Sequence, residues 1–379
     1  MKRRRESRAR PHAAPRAAGL GYRPALDGVR AFAVLSVMSW HFVLPGLKGG
    51  FLGVDVFFVL SGFLITTLLV EEWEARGAIG LGRFYMRRVL RLFPALLVVL
   101  LVTAPLVPRL WTLEALFYVA NWGVALGHLG VCAIKHLWSL SIEEQFYLVW
   151  PVTLLILLRM RAPRAVIYGT VALLALGSTF FKTQAWTSPA SWIRLFHGTD
   201  SRADQLLIGC GLGLFLRWSA LPERGWFRTA VRVAAMPALA YLAFMFLFAR
   251  VYWEFLYHQA GFTGVALATA VMLLQMMTGP YRWMTAILEW GPLVAIGRIS
   301  YGLYLWHQPI GWLSDPRHYE IVPAIARIPL LLVRFGLTFA MAGLSYALIE
   351  RPALRLKHRF SPRMSQGAPE GPVPTDRSP

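Results

Sequence analysis

The sequence contains few cysteines. Cys132 and Cys210 are the only two among 379 residues, and neither belongs to a CxxC pair or to a Cys/His cluster with metal-ligand spacing. We therefore predict neither a disulfide framework nor a bound metal ion.

Acidic residues are also scarce, since 19 Asp and Glu stand against 39 Lys and Arg and give a formal net charge of +20 at pH 7. Such an excess could indicate binding to nucleic acid. However, the Lys and Arg residues form short clusters between apolar runs, which is the pattern of cytoplasmic loops in membrane proteins. Membrane lipids are therefore predicted partners and nucleic acid is not.

Hydrophobic residues, in contrast, make up 56% of the chain, too many for an ordinary soluble domain of this length. Ten apolar segments have roughly the length that crosses a bilayer. They span residues 29–46, 52–70, 92–108, 142–158, 165–181, 203–217, 233–249, 261–278, 293–313 and 328–348. The predicted fold is all-α, a polytopic integral membrane protein with about ten transmembrane helices.

The charge distribution predicts the orientation of these spans. Ten spans place both termini on one side, and the gaps on that side contain 27 Lys and Arg, against nine in the opposite gaps. Positively charged loops are cytoplasmic, so both termini are predicted to lie in the cytoplasm. The predicted domains are a basic disordered tail at 1–28, a ten-helix membrane domain at 29–356 and a second disordered cytoplasmic tail at 357–379.

Two ionisable residues interrupt the first predicted span. Arg30 and His41 are 11 residues apart, which in a helix separates them by only about 20° around the axis and roughly 16 Å along it. A carboxylate at similar depth in the second span, Asp55, could orient the imidazole and raise its basicity for general-base catalysis. Alternatively, Arg30 caps the span, His41 is a hydrogen-bonded core residue and Asp55 is an ordinary helix-start residue.

The segment RFYMRRVLRLFP, after the second span, is strongly basic. Arg83, Arg87 and Arg91 share a helix face, and Arg88 lies beside them. Guanidinium groups bind phosphate in bidentate fashion, so Arg87, Arg88 and Arg91 are candidate ligands of a polyphosphate such as that of coenzyme A. The positive-inside rule and anionic lipid headgroups explain the same cluster equally well.

Polar residues gather again in the fourth and ninth predicted spans. The segment HLWSLSIEEQFYLVWP carries Trp138, Glu143 and Glu144, which could hold a sugar ring or could be an interfacial anchor and helix-terminal charges. The segment SYGLYLWHQP carries Tyr301 and a second intramembrane histidine, His307. Arginines thus gather at the predicted cytoplasmic ends and histidines, carboxylates and tryptophans in the outer half, which suggests a path between an anionic donor and a polar acceptor.

One further arginine, Arg334, lies within the last predicted span. Its guanidinium could pair with a carboxylate or could extend towards the membrane surface. The sequence leaves both alternatives open.

Six blocks of the sequence resemble the membrane acyltransferase family 3, bacterial O-acyltransferases that modify surface polysaccharides, lipid-linked sugars and some antibiotics. The resemblance covers about residues 22 to 355. The blocks are LDGVRAFAVLSVMSWHF, FLGVDVFFVLSGFLI, RRVLRLFP, WSLSIEEQFYLVWP, SYGLYLWHQP and IERP, in that order. The resemblance implies a ten-helix domain of the bacterial cytoplasmic membrane that takes an acyl group from cytoplasmic acyl-CoA and gives it to a hydroxyl on the far side.

The resemblance also implies roles for individual residues. Arg30 and His41 correspond to the essential pair of the first helix, and Arg88 and Arg91 to the basic motif proposed to engage the donor. We expect His41 to be a general base or a transient acyl carrier that Asp55 orients, and acetyl-CoA to be the donor. The residues expected to shape a pocket for a carbohydrate or glycolipid acceptor are Trp138, Glu143, Glu144, Tyr301 and His307.

Two points stay open in this interpretation. Many relatives carry a C-terminal SGNH-type hydrolase-like domain, which we expect here to be a separate partner protein or to be absent. A flippase or transporter of a lipid-linked sugar is the alternative function, because it would also need polar groups inside a ten-span bundle. A membrane receptor or scaffold would explain none of these polar groups.

Overall fold

The computed structural model describes residues 21–44, 46–219, 225–279, 281–314 and 327–357. Within these ranges the regular structure is helical, without a β-strand. The first helix begins at Pro24, earlier than the predicted boundary after residue 28, and proline suits a first helical turn because its missing N–H would be unpaired there in any case. The rest of the predicted tails, 1–20 and 358–379, lies outside the described residues.

Helices follow one another along the whole described chain. Those of the first half are α1 (Pro24–His41), α2 (Gly53–Arg76), α3 (Leu81–Thr103), α4 (Arg109–Leu116), α5 (Ala120–Ala125), α6 (Leu137–Arg159), α7 (Arg164–Gln184) and α8 (Trp192–His197). Those of the second half are α9 (Thr199–Trp218), α10 (Gly225–Phe248), α11 (Glu254–Tyr257), α12 (Gly261–Thr278), α13 (Arg282–Leu288), α14 (Gly291–Arg298), α15 (Ser300–Leu313), α16 (Arg327–Ser345) and α17 (Arg351–Lys357). A π-helical turn, Tyr346–Glu350, joins α16 to α17.

Seven of the described helical segments are long and apolar enough to cross a membrane, and they contain α2, α3, α6, α7, α10, α12 and α16. The other three predicted spans coincide with α1, with α9 and with the pair α14 and α15. Charged residues lower the hydropathy of α1 and α9, and the chain divides the span at 293–313 into two helices at Ile299. The all-helical, multi-pass prediction is confirmed, whereas the number of ten spans and the cytoplasmic termini stay predictions.

Helix α2 packs against α9 through a close backbone contact. A Cβ atom added to Gly62 would lie 1.9 Å from the carbonyl oxygen of Leu206, and one added to Gly209 would lie 2.1 Å from that of Val59. Only glycine permits helix backbones to approach so closely. Gly62 of the second block is therefore a packing residue.

Four charged side chains are buried where α2, α7 and α9 meet. Arg202 lies 3.2 Å from Asp55 and Lys182 lies 2.8 Å from Asp204, and all four side chains are fully buried. Thr263 donates a further hydrogen bond of 2.6 Å to Asp204. Lys182 and Arg202 are two of the nine basic residues assigned above to the gaps between spans, and that assignment is wrong. Both lie within helices, where pairing compensates their charge as a low-dielectric interior requires.

Candidate active site

Two cavities lie one above the other along the same four helices, α1, α2, α6 and α15. The arginine cavity has a volume of about 200 Å³ and is lined by three arginines together with Ser61, Glu143, Tyr147 and Tyr301; the arginines are Arg30, Arg88 and Arg91. The histidine cavity has a volume of about 190 Å³, and its polar and aromatic lining includes His41, His136, His197, Trp138 and Trp192. Helix α1 places Arg30 at the first cavity and His41 at the second.

The arginine cavity is suited to an anion. Among the described residues, three guanidinium groups and one carboxylate, that of Glu143, line this small space. The guanidinium carbon of Arg88 lies 3.3 Å from the centre of the Tyr147 ring, a cation–π contact that fixes its plane. The carboxylate of Glu143 is itself oriented, because it accepts a hydrogen bond of 2.8 Å from Ser61. The cavity therefore presents a net positive charge on side chains that are held in place.

His41, at the histidine cavity, is hydrogen-bonded through a ring nitrogen to a ring nitrogen of His307. Nδ1 of His307 lies 2.6 Å from the carbonyl oxygen of Tyr304 and must carry a proton, because a carbonyl only accepts. In the neutral ring Nε2 of His307 is then an acceptor, and it lies 3.2 Å from Nδ1 of His41. Since Nδ1 of His41 also lies 3.0 Å from the carbonyl oxygen of Val37, it is the donor to both groups.

This pattern of hydrogen bonds assigns the tautomer of His41. With the proton on Nδ1, the lone pair of the neutral ring is on Nε2, and His41 lines the histidine cavity. An imidazole whose second nitrogen is held in this way is arranged to accept a proton from a hydroxyl group. His307, fully buried behind it, orients the ring.

The wall of the histidine cavity is aromatic. The ring of Trp138 lies 4.9 Å from that of His197, at a steep interplanar angle of 73°. Nε2 of His136 lies 3.2 Å from the carbonyl oxygen of Leu305, so that His136 is anchored to α15. Flat aromatic faces beside hydrogen-bonding groups form a suitable wall for a polar ring-shaped ligand.

Comparison with known proteins identifies the family. A profile described as an acyltransferase domain matches residues 23–350. The chain belongs to this acyltransferase family. The acyltransferase relatives include the peptidoglycan O-acetyltransferase OatA of Listeria monocytogenes, 34% identical, and the O-acetyltransferase OatA of Staphylococcus aureus, 35% identical. The alignments cover 87% of this chain and 56% and 57% of those proteins, so the chain spans a little over half their length.

A third relative is the putative peptidoglycan O-acetyltransferase YrhL of Bacillus subtilis, 34% identical over 87% of this chain and 55% of its own length. No solved structure matches the chain. The family resemblance found in the sequence blocks is therefore confirmed by the domain match over residues 23–350 and by the similarity of 87% of this chain to these relatives.

In this acyltransferase domain Asp55 does not contact His41, and the predicted pairing is wrong. The carboxylate of Asp55 is paired with Arg202, whereas the hydrogen bonds of the described His41 ring are to Val37 and His307. Consecutive residues of a helix point about 100° apart, so Val54 lines both cavities while Asp55 faces α9. The predicted pairing fails because the Asp55 side chain points to another side of α2.

Of the three arginines predicted to bind the acyl donor, two lie at the arginine cavity and one does not. Arg88 and Arg91 line the arginine cavity. Arg87, however, lies 3.8 Å from the carboxylate of Glu72, which Arg83 also contacts. Arg87 is therefore placed outside the cavity by the acyltransferase fold, in an ion-pair cluster at the end of α2.

The five residues predicted to form one acceptor pocket occupy different places. Trp138 lines the histidine cavity and His307 lies behind His41. Glu143 and Tyr301 line the arginine cavity instead, and Glu144 interacts electrostatically with Arg88 and Arg91. Trp138 and Glu143 are five residues apart, about 7.5 Å along α6, and they therefore line different cavities.

His197, which lines the histidine cavity, and Arg202, which lies beside it, were not predicted from the sequence. Both are buried, and the guanidinium of Arg202 lies 5.0 Å from the ring of Phe196, behind the aromatic wall of the histidine cavity. A histidine and a charged residue in or beside an apolar segment are the signal that marks such positions. His197 and Arg202 were not recognised as intramembrane residues because they lie between the predicted spans 165–181 and 203–217.

Arg334 is buried against the end of the predicted span 293–313. Its Nε and Nη2 donate hydrogen bonds of 2.9 and 2.8 Å to the side chain and the carbonyl of Ser314. Arg334 therefore ties α16 to the end of α15.

Proposed function

We propose that this chain is an O-acyltransferase of the bacterial cytoplasmic membrane. It moves an acyl group from cytoplasmic acyl-CoA to a hydroxyl of a carbohydrate-containing acceptor, and acetyl is the acyl group we expect. The observation that supports this proposal is the stacking of an arginine-lined cavity on a histidine-lined cavity along one set of helices. A two-substrate transfer across a membrane needs a site for an anionic donor and a site for a neutral acceptor with a base beside it.

The arginine cavity is the proposed donor site. Its guanidinium groups suit the phosphates and polar amides of coenzyme A, because charge-assisted hydrogen bonds to anions are about twice as strong as neutral ones. Nε of Arg88 is buried and, among the described residues, has no hydrogen-bond partner, so it can donate to a ligand. The donor would reach this cavity from the cytoplasm, where both termini are also proposed to lie.

The histidine cavity is the proposed acceptor site, with His41 as the general base. Nε2 of His41 removes the proton from the acceptor hydroxyl while its oxygen attacks the thioester carbonyl carbon. The new C–O bond forms, the C–S bond breaks, and the leaving sulfur takes up the proton to give free coenzyme A. Transient acylation of His41, followed by transfer to the hydroxyl, is the second form of the same proposal.

Peptidoglycan is the acceptor to examine first, because two of the relatives are named as acting on it. Trp138 and its aromatic neighbours give the histidine cavity a wall on which a sugar ring can stack. The assay uses purified protein in lipid vesicles, radiolabelled acetyl-CoA and soluble peptidoglycan fragments. Label in the fragments supports the function, whereas movement of a lipid-linked sugar without acetyl transfer would establish a transporter.

The His41→Ala variant tests the proposed base. General-base assistance contributes about 10²–10⁴ in rate, so we expect a loss of that size with an unchanged melting temperature. A normal rate in this folded variant contradicts the assignment of His41.

The donor site is tested with a matched pair of neighbours. Arg88→Gln removes a guanidinium from the cavity and is expected to raise KM for acetyl-CoA by roughly 10- to 100-fold, the value of a charged hydrogen bond. Arg87→Gln removes the same charge from a side chain paired with Glu72 and is expected to change KM little. Equal effects of both changes would indicate general surface attraction and would contradict a donor site in this cavity.

A further inference from the structure

The boundary between the two cavities consists of very few side chains. Of the described residues that line the arginine cavity, only Val54 of α2 and Tyr304 of α15 also line the histidine cavity. Both are buried. These two side chains therefore lie at the boundary between the cavities, where a group that moves from one to the other would pass.

Tyr304 is held in place at this boundary by its hydroxyl. The hydroxyl makes a short contact with the hydroxyl of Ser139 and donates a hydrogen bond of 2.9 Å to the carbonyl oxygen of His136. The Tyr304 ring also lies 5.4 Å from the rings of His136 and His307. The tyrosine is therefore held by two polar contacts at the start of α6, and its ring lies at the boundary beside His136 and His307.

Val54 closes the passage from the opposite side. It lies in the first turn of α2, one residue before the buried Asp55. Asp55 is paired with Arg202, and Gly53 fits against the carbonyl oxygen of Ala33, so the backbone that carries Val54 is held firmly. Tyr304 can move by rotating its side chain once two hydrogen bonds break, whereas Val54 is a fixed edge.

We propose that Val54 and Tyr304 form a selective partition between donor and acceptor, in which the hydroxyl of Tyr304 is a latch and the width left by Val54 limits the acyl chain to the shortest groups. This inference rests on the proposed acyl-CoA-dependent function. The acyl group of a thioester that enters from the arginine cavity must reach this partition to meet the acceptor hydroxyl that Nε2 of His41 activates. Tyr304 and Val54 are thus specificity-determining residues that do not themselves supply or remove a proton.

The test compares acetyl-CoA with butyryl-CoA as donors for one acceptor. Val54→Ala widens the fixed edge, and we expect the ratio of butyryl to acetyl transfer, as kcat/KM, to rise at least tenfold, since one methylene in an apolar site changes discrimination about 10- to 200-fold. Tyr304→Phe keeps the ring and removes the latch, and it is expected to raise the same ratio. The matched control is Val251→Ala, because Val251 lines the histidine cavity but not the partition.

The outcomes separate this inference from the proposed function. If the unaltered protein transfers no acetyl group, the function itself fails. If it transfers acetyl and both partition variants keep its donor ratio, or if Val251→Ala raises the ratio equally, the partition is refuted. Both donors are measured with the same protein sample, so a smaller folded fraction of Tyr304→Phe does not change the ratio. If Tyr304→Phe does not fold at all, the ratio of the Val54→Ala variant decides the test.

Discussion

At the scale of single residues, the orientation of His41 depends on a second histidine and not on a carboxylate. A carboxylate partner would place a full negative charge beside His41. His307 instead presents the neutral lone pair of its Nε2, 3.2 Å from Nδ1 of His41. A neutral partner fixes the tautomer without placing an ion in the bilayer interior, where an uncompensated charge is costly. The only nearby carboxylate that sequence suggested, Asp55, is neutralised by Arg202.

The positioning role of His307 predicts different results for two substitutions. His307→Gln keeps an acceptor near the place of Nε2 and is expected to retain activity within about tenfold. His307→Leu removes the acceptor and leaves His41 free to rotate, and a loss of roughly 10²-fold or more is expected, because misorientation of a catalytic group by about 1 Å has effects of that size. Rates are measured with acetyl-CoA at saturation, beside melting temperatures.

A merely structural His307 would behave differently. Both substitutions would then lower the melting temperature and the fraction of folded protein, while the turnover per folded molecule stayed equal for the two. The Gln variant matching the Leu variant in turnover would contradict the positioning role.

Single residues also show where sequence reasoning succeeds. Hydropathy and helical spacing predicted that Arg30 and His41 lie on one helix and at different depths, and the two cavities separate them in that way. The partner of a side chain depends on the rotation of each helix about its axis, which no local pattern specifies. For that reason the spacing along the chain gave Asp55 the wrong partner.

At the scale of elements, the contact between α2 and α9 predicts a strong difference between two glycines of one helix. Gly209→Ala would place a methyl group 2.1 Å from the carbonyl oxygen of Val59, so the helices must separate. Gly211→Ala would place its methyl 3.8 Å from the side chain of Val171, an ordinary contact. We expect the first change to destabilise the protein by at least the ~1–3 kcal/mol typical of overpacking, and the second to be neutral or stabilising by up to about 1 kcal/mol.

Thermal unfolding of the purified variants in detergent micelles measures this difference. Gly211→Ala serves as the control for the general effect of alanine in α9. Equal melting temperatures for the two variants would show that the helices are not in the close contact described. Such a result would also undermine the position of Val54, because α2 carries both Val59 and Val54.

The helices themselves were largely foreseeable, because long apolar segments in a bilayer have to satisfy their backbone hydrogen bonds internally. The ten apolar segments all coincide with helices. The short helices α4, α5, α8 and α11 were not predicted, since they lie between the spans and have no extended apolar period of their own. One of them, α8, carries His197 to the histidine cavity, so part of the site comes from elements that hydropathy does not reveal.

At the scale of the whole molecule, the difference in Lys and Arg content between the two predicted sides can be examined again with the structure. Lys182 and Arg202 are buried in ion pairs and leave seven of the nine Lys and Arg residues on the predicted outer side. Arg88 and Arg91 line a cavity, and leaving them out as well still keeps 25 of the 27 on the predicted cytoplasmic side. Leaving out these four residues therefore preserves the bias that predicts the orientation.

The orientation predicts that two exposed connections lie on opposite sides of the membrane. Lys48 lies between α1 and α2, and Arg159 lies at the end of α6 before the turn to α7. In the predicted topology Lys48 faces outside and Arg159 faces the cytoplasm, on the side of the arginine cavity. The two native cysteines, Cys132 and Cys210, are buried and give a low background, so Lys48→Cys and Arg159→Cys can be made in the otherwise unaltered chain.

A membrane-impermeant maleimide applied to intact cells, or to spheroplasts where an outer membrane blocks it, reads out the two positions. We expect Lys48→Cys to react at once and Arg159→Cys to react only after the cytoplasmic membrane is permeabilised. The unaltered chain should stay unlabelled in both conditions. Labelling of Arg159→Cys from outside would invert the molecule, and the arginine cavity would then open away from the cytoplasmic pool of acyl-CoA, a geometry in which the proposed donor could not reach its site.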